Sequence, residues 1–323
     1  MPCGNSQRIH VVIVGAGFAG ASLAKHFEKL QKDPRENTPP FTVTLVSTQD
    51  YFDINYRTFR SLVDGDTAGQ QVIKLRDMFS ETRLLHGKCT KVEAGFITVT
   101  IMPKKNGNGD NEAALDEVEL PYDVLVLCTG SRYAHGSVDF IKGASQASTL
   151  EGRVMQLRDR ALAIAKADNF NIIGGGPSSI EMAAELLTHY PEKKVALVSR
   201  GQILKNLNHE SRAKIASFFM VHKDNIHVFE ETKRDVAVKS IKAAPNQFVF
   251  TGLVPNTDFL KDCKLVQLDA DGYVKVKEGI YQVAPPQELT VVASGTEGGG
   301  EGEGQIGNDE EEQRPLGEPS SAN

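Results

Sequence analysis

Two glycine-rich turns, each set between an apolar run and a helix-like run, limit what this chain can fold into. The first follows His10-Val11-Val12-Ile13-Val14 and reads Gly15-Ala16-Gly17-Phe18-Ala19-Gly20. The second follows Phe170-Asn171-Ile172-Ile173 and reads Gly174-Gly175-Gly176-Pro177-Ser178-Ser179. After each turn apolar residues recur at helical spacing, at Leu23, Ala24, Phe27 and Leu30 and then at Ile180, Ala183, Ala184 and Leu187. A second apolar strand follows each helix, at 41–46 and 194–198. One β-α-β design is therefore used twice, which predicts a domain boundary near residue 150. A single turn of this kind is a weak sign of dinucleotide binding. Two on one polypeptide point to two bound dinucleotides, for which the usual reason is electron transfer between a nicotinamide and a flavin.

The bulk properties narrow the class. A chain of 323 residues exceeds the size at which one core keeps growing, so two domains are expected. The net charge of −6 leaves no basic excess to replace phosphate counterions, which argues against nucleic acid as a main partner. No run of apolar residues is long enough for a membrane span. Residues 1–7 lack the apolar stretch of a secretory signal and are read as an N-terminal tail. Cys3, Cys89, Cys128 and Cys263 are scattered and form no C-x-x-C, as expected in a reducing compartment, with no metal site; cytoplasm is the default. From residue 297 the chain is rich in Gly and Glu and almost free of apolar residues, so a disordered acidic tail is expected over 297–323.

Between the two turns, Val124-Leu125-Val126-Leu127-Cys128 reads as a buried strand ending in Thr129-Gly130. Residues 95–101 and 117–120 read as hairpin strands, with 105–112 as their exposed connection. In the first turn Gly15 allows the tight bend, Gly17 lets the backbone approach a pyrophosphate and Gly20 permits close helix–strand packing. In the second, Gly174 and Gly176 hold the first two positions and Ser179 stands in the third, a softened version of the same device. The second strand of such a unit commonly ends in an acid that binds the adenosine ribose. Here Ser47 follows Val46, with Asp50 the nearest acid, and Ser199-Arg200 follow Val198. Serine plus arginine suits a 2′-phosphate, and equally Arg200 reads as a plain surface charge.

With these residues assembled, the chain resembles the pyridine nucleotide-disulfide oxidoreductase superfamily, and within it the apoptosis-inducing-factor-like, ferroptosis-suppressor-protein-like group. The resemblance is carried by residues 10–20, by 120–131, by 173–186 with Glu181-Met182-Ala183-Ala184-Glu185, and by Tyr190-Pro191-Glu192-Lys193. It implies an α/β fold of two Rossmann-like dinucleotide-binding domains (three-layer ββα), with the NAD domain inserted in the FAD domain. The implied arrangement is an FAD-binding domain over 8–149, an NAD(P)H-binding domain over 150–275 and an incomplete return to the FAD domain over 276–296. The first turn (Gly15, Ala16, Gly17, Phe18, Ala19, Gly20) would hold FAD together with Ser47, Arg60, a backbone contact at Cys89, and Thr129-Gly130. The second (Gly174, Gly176, Ser179) would hold NAD(P)H, with Ser199, Arg200 and Gly252 beside it and Glu181 near the nicotinamide. The implied activity is hydride transfer from nicotinamide to flavin, and onward electron transfer to a quinone or similar small acceptor, with no acid–base residue required. Attachment to a membrane surface is a family habit without support in this chain.

Three departures stand against the family pattern. The stretch between 226–229 and 249–252 is shorter than the usual β-meander. A late Gly-Asp, whose aspartate hydrogen-bonds FAD, is represented here by Gly295-Thr296. The C-terminal interface domain has no counterpart, so the chain reads as C-terminally truncated. Losing one charged hydrogen bond to FAD costs about 1.5–3 kcal/mol, or one to two orders of magnitude in affinity. A competing expectation is therefore a non-catalytic nucleotide-binding or regulatory module. Disulfide reduction is disfavoured by the lack of a cysteine pair, and Baeyer–Villiger monooxygenation by the lack of tryptophan.

Overall fold

The computed structural model describes residues 8–33, 39–102, 116–230, 246–277, 282–283 and 290–293. The N-terminal tail, the expected connection at 105–112, most of the shortened stretch (231–245), Gly295-Thr296 and the tail from 297 lie outside the described residues.

The apolar run before the first turn forms strand β1 (Ile9–Val14), flanked in parallel by β2 (Phe41–Ser47) and β8 (Val124–Leu127). Val12 and Ile13 are fully buried, which is why β1 reads as an unbroken apolar run rather than an alternating one. Next to β2, β5 (Arg83–Glu93) begins parallel and then continues as the first strand of an antiparallel meander with β6 (Phe96–Ile101) and β7 (Glu117–Pro121). The change from parallel to antiparallel pairing falls between His86 and Gly87, and a register shift between Cys89 and Lys91 then marks a bulge within the antiparallel pair. On the other side of β8 lies β16 (Thr290–Ala293), parallel to it, followed by the short antiparallel β15 (Gln282–Val283).

A second, wholly parallel sheet contains β12 (Ile226–Phe229), β11 (Lys194–Val198), β10 (Asn169–Ile173) and β13 (Gln247–Val249), in that order. Strands of the first sheet precede and follow it in sequence, so the second unit is inserted in the first. The fold is α/β with two Rossmann-like units. Two small antiparallel pairs complete it: β3 (Tyr51–Asp53) with β4 (Val72–Lys74), and β9 (Ser131–Tyr133) with β14 (Leu253–Pro255).

The helices are α1 (Phe18–Lys32), α2 (Thr58–Val63), α3 (Leu75–Met78), α4 (Leu150–Lys166), α5 (Pro177–His189) and α6 (His209–Val221). Thr149 caps α4 by accepting the Gly152 N–H at 3.2 Å. Phe59, Leu62 and Val63 of α2 share a core with Leu157 of α4, with Met182 and Leu186 of α5, and with the second sheet. Residues 253–275, which the boundary at 275 gives to the second unit, pack on the first: Leu260 and Val266 share a core with Ile97, Val99 and Leu120 of the meander. The reason is β14, which carries the chain back across β9 directly after β13.

Two buried charges tie separate elements together, one within the first unit and one between it and α4. Glu28 of α1 accepts the N–H groups of Ser80, Glu81 and Thr82 at 2.8–2.9 Å. Arg153 of α4, with no exposed surface, pairs with Asp53 at 3.0 Å and donates to the Phe140 carbonyl at 2.5 Å.

Candidate functional site

The two glycine turns are built by the same contacts. Gly15 (φ +105°) donates its N–H to Val46 O at 2.8 Å, and Gly174 (φ +131°) donates to Val198 O at 2.9 Å. A Cβ on Gly15 would collide with the carbonyl of Cys128, and a Cβ on Gly174 with that of Phe250. Each of those partners is itself hydrogen-bonded to the strand before the turn, Cys128 N to Val14 O at 2.8 Å and Phe250 N to Ile173 O at 2.7 Å. Both the positive φ and the close approach therefore require glycine at positions 15 and 174.

Beyond the bend, Gly17 and Gly176 are the N-caps of α1 and α5. Neither helix has a side-chain cap or an acid in its first turn, so the first N–H groups and the positive end of each dipole are open. A Cβ at Gly17 or at Gly176 would meet nothing within 4 Å, so each backbone faces open space. Uncapped N-termini beside bare glycine backbone suit the pyrophosphate of a dinucleotide. The residues present therefore fit the two groups that the fold implies.

The turns differ at their third position. A Cβ on Gly20 would strike the carbonyl oxygen of Gly15, whereas the second turn accommodates Ser179 fully buried against Gly174. Ser179 Oγ has no hydrogen-bond partner among the described residues. Helix α5 thus sits slightly farther from its turn than α1 does, and the space is filled by a hydroxyl at a cost of about 1–3 kcal/mol.

The remaining candidate residues fall into three groups. Ser47 is buried, and its hydroxyl accepts the Gln49 N–H at 3.1 Å. Asp50, the nearest acid, is occupied elsewhere, accepting the Leu150 N–H at 2.8 Å and lying 3.7 Å from Lys74. Ala16 is buried under the turn, while Phe18 is exposed and stacks on Tyr56 at 5.9 Å between ring centres. Cys89 lies in the meander core with its thiol directed to Lys91 O, and burial pushes the thiol up to about 12.

Arg60 of α2 and Glu185 of α5 form an ion pair at 2.7 Å across the two units. One helical turn earlier, desolvation and the Glu185 carboxylate raise Glu181 above the usual carboxylate range. Tyr133, which the sequence reading did not single out, donates toward Ser178 Oγ at 2.9 Å in the first turn of α5.

Thr129-Gly130 and Thr251-Gly252 follow the strands that support the turns, and Gly130 (φ +64°) and Gly252 (φ +136°) then redirect the chain. The segments they launch cross as the β9–β14 pair. Asn256 latches the crossing: its N–H donates to Gly130 O and its amide nitrogen to Thr129 O, both at 2.9 Å. No signal short of the three-dimensional pairing marks Asn256 as the residue that ties one site to the other.

The second turn opens on a cleft of about 1060 Å³, bounded by Gly174–Pro177, Val198–Gln202, Leu204–Leu207 and Thr251. Among the described residues no cluster of His, Cys, Asp or Glu suits a metal ion, and no helix is long and apolar enough to cross a membrane.

The profile of the pyridine nucleotide-disulphide oxidoreductase family matches residues 9–284. The chain is 25% identical over 310 residues to the oxidoreductase ptaL of Pestalotiopsis fici, covering 85% of this chain and 76% of that one. It is 29% identical over 193 residues to ferroptosis suppressor protein 1 of Xenopus tropicalis, covering 59% and 44%. An external alternative NAD(P)H-ubiquinone oxidoreductase of Arabidopsis thaliana matches at 25% over 217 residues, covering 61% and 35%. The chain therefore spans less than half the length of the last two. Among solved structures, NDH2 of Plasmodium falciparum in complex with NADH superposes with a TM-score of 0.61 at 14% identity, over 90% of this chain and 66% of that one.

Proposed function

Because the chain belongs to the pyridine nucleotide-disulphide oxidoreductase family, we propose that it is an FAD-dependent NAD(P)H oxidoreductase that passes electrons to a quinone-like small acceptor. The observation that carries this reading is the duplicated turn. Two uncapped helix N-termini with open glycine backbone stand on two sheets that one crossing of the chain holds in fixed relation. The name of the Arabidopsis relative supports the quinone acceptor.

In this reading the first unit, with Gly15–Gly20, Ser47, Arg60, Cys89 and Thr129-Gly130, holds FAD, and the inserted unit, with Gly174, Gly176, Ser179, Glu181, Ser199, Arg200 and Gly252, holds NAD(P)H. The bound cofactors supply hydride transfer from nicotinamide to flavin. The protein contributes position. The N–H groups at the starts of α1 and α5 fix the two pyrophosphates, and Asn256 with the β9–β14 pair fixes the angle between the sites. The Arg60–Glu185 pair spans the junction and keeps α2 against α5. Glu181, raised by desolvation and by Glu185, stands on the α5 face that adjoins this junction. The Cys89 thiol itself takes no part, since burial in its apolar setting raises it and keeps it protonated at neutral pH.

The test is optical. Purified protein, as isolated or after incubation with FAD, is expected to be yellow with a band at about 450 nm. Anaerobic NADH or NADPH should bleach it, and a soluble quinone should restore the colour. A chain that stays colourless with excess FAD overturns the proposal.

A further inference from the structure

We infer that the second cleft selects the phosphorylated nicotinamide dinucleotide, with Arg200 and Lys205 holding the adenosine 2′-phosphate. The inference rests on the reading of that cleft as the nicotinamide dinucleotide site. It is carried by the charge of the cleft and by the way its outer wall is built.

Among the described residues no carboxylate lines the cleft; its ionisable wall residues there are Arg200, Lys205 and His135. At the end of β11, where an acid would accept hydrogen bonds from both ribose hydroxyls and repel a phosphate, stands Ser199. Its side chain is buried against the middle glycine of the turn, since a Cβ on Gly175 would collide with Ser199 Oγ. Position 199 therefore touches the turn itself, and it is small and uncharged. Arg200 and Lys205 follow on the adjoining loop, both exposed, and neither has an ion pair or hydrogen bond among the described residues. Two cations without a partner among the described residues, on a wall whose described residues include no acid, suit a dianion. A guanidinium in particular can grip phosphate oxygens in pairs.

The loop is held ready rather than left loose. Leu204 takes φ +50°, rare for a branched side chain, and its N–H donates to Gly175 O at 2.7 Å. The Leu204 side chain is buried in the core of the second unit. The Gln202 side chain accepts from Arg212 of α6 at 2.6 Å. Glu230 reaches the same loop, but its carboxylate accepts the Ile203 N–H at 2.8 Å and does not line the cleft. The strained residue thus ties the loop to the glycine turn between the two cations. The backbone that carries them is thereby placed relative to that turn before any ligand arrives.

The experiment measures equilibrium binding to the full chain, by calorimetry or by nicotinamide fluorescence, so that it does not depend on flavin content or turnover. The ligands are NADPH, NADH, 2′,5′-ADP and 5′-AMP. NADPH and 2′,5′-ADP are expected to bind about ten- to a hundred-fold tighter than their unphosphorylated partners. That preference should shrink as salt is raised. Arg200→Ala should remove most of the preference by weakening NADPH far more than NADH, and Lys205→Ala should remove part of it. Equal affinities for NADPH and NADH overturn the inference and leave the nicotinamide reading standing. An equal loss for both ligands in Arg200→Ala also overturns it, because the arginine would then serve the whole dinucleotide. Failure of all four ligands to bind the unmodified chain overturns the inference together with the reading beneath it.

Discussion

Glu28 makes a sharp test of how the first site is held in place, because one carboxylate oxygen joins α1 to the segment that leads into β5. The side chain is 2% exposed, and Oε1 accepts from the N–H groups of Ser80, Glu81 and Thr82 and from the Thr82 hydroxyl at 3.1 Å. Burial alone would raise this carboxyl. The four donors outweigh it and bring it down from 4.5 to about 2. A group depressed in the folded state adds stability that is complete above its unfolded value and lost as pH falls through the folded one. The difference of about 2.5 pH units corresponds to about 3 kcal/mol at neutral pH. By the same linkage about half of it, roughly 1.5 kcal/mol, should remain at pH 3.

Glu28→Gln keeps an acceptor oxygen of similar shape and removes the charge. Its urea unfolding free energy should fall below that of the unmodified protein by about 2–3 kcal/mol at pH 7. The gap should narrow to about half at pH 3, because the reference protein is then losing the same charge. Glu28→Ala strands three N–H groups and a hydroxyl and should cost more at every pH. A gap under about 1 kcal/mol at pH 7, or one that stays constant down to pH 3, would refute the claim that charge-assisted bonds to the 80–82 backbone anchor α1.

Three further outcomes follow from the geometry. Gly15→Ala and Gly174→Ala each force a Cβ into a carbonyl at a positive φ. The first should lower flavin content and the second nicotinamide affinity, each with about 1–3 kcal/mol or more of lost stability, read by absorbance, ligand titration and urea melts. Arg153→Met leaves Asp53 without its buried partner and should cost about 3–5 kcal/mol in urea unfolding, more than Asp53→Asn made on the same Arg153 background adds. Cys89→Ala should leave flavin content and turnover unchanged, and the native thiol should resist alkylation at pH 8, since burial pushes it up to about 12.

Much of the scaffold was legible because the deciding contacts are local. The β-branched run 10–14, the glycines at 15, 17 and 20 and the helical spacing after them lie within one short stretch and admit one arrangement. The repeat at 170–187 is legible for the same reason, and Ser179 marks where the second helix packs less closely. Contacts made at long range were not legible. Arg60 reads as a cofactor ligand by resemblance, yet its ion pair is with Glu185, 125 positions away, and only the packing of α2 on α5 reveals it. The return of 253–275 to the first unit was hidden because β14 pairs with β9, two short strands without alternating pattern. Arg200 left two readings open, and what weighs between them is a wall, assembled by folding from distant segments, whose described residues include no acid.

The crossing also explains how two such units can work as one. Each support strand ends at a carbonyl that touches its turn, Cys128 against Gly15 and Phe250 against Gly174, and each is followed within two residues by a glycine at positive φ. Those glycines send the two chain segments across each other. There Asn256 bonds the backbone of 129–130, and Ala134 N bonds Gly252 O at 3.1 Å. Hydrogen bonds thus tie the segment that follows one support strand to the segment that follows the other. Hydride transfer demands close, aligned approach of two rings, and misplacement by about 1 Å costs on the order of a hundred-fold in rate. Side-chain contacts alone, such as the half-exposed Arg60–Glu185 pair, could not hold that tolerance against thermal motion. A crossing held by backbone hydrogen bonds can, and for that reason the positive-φ glycines at 130 and 252 matter to the proposed chemistry as much as those at 15 and 174.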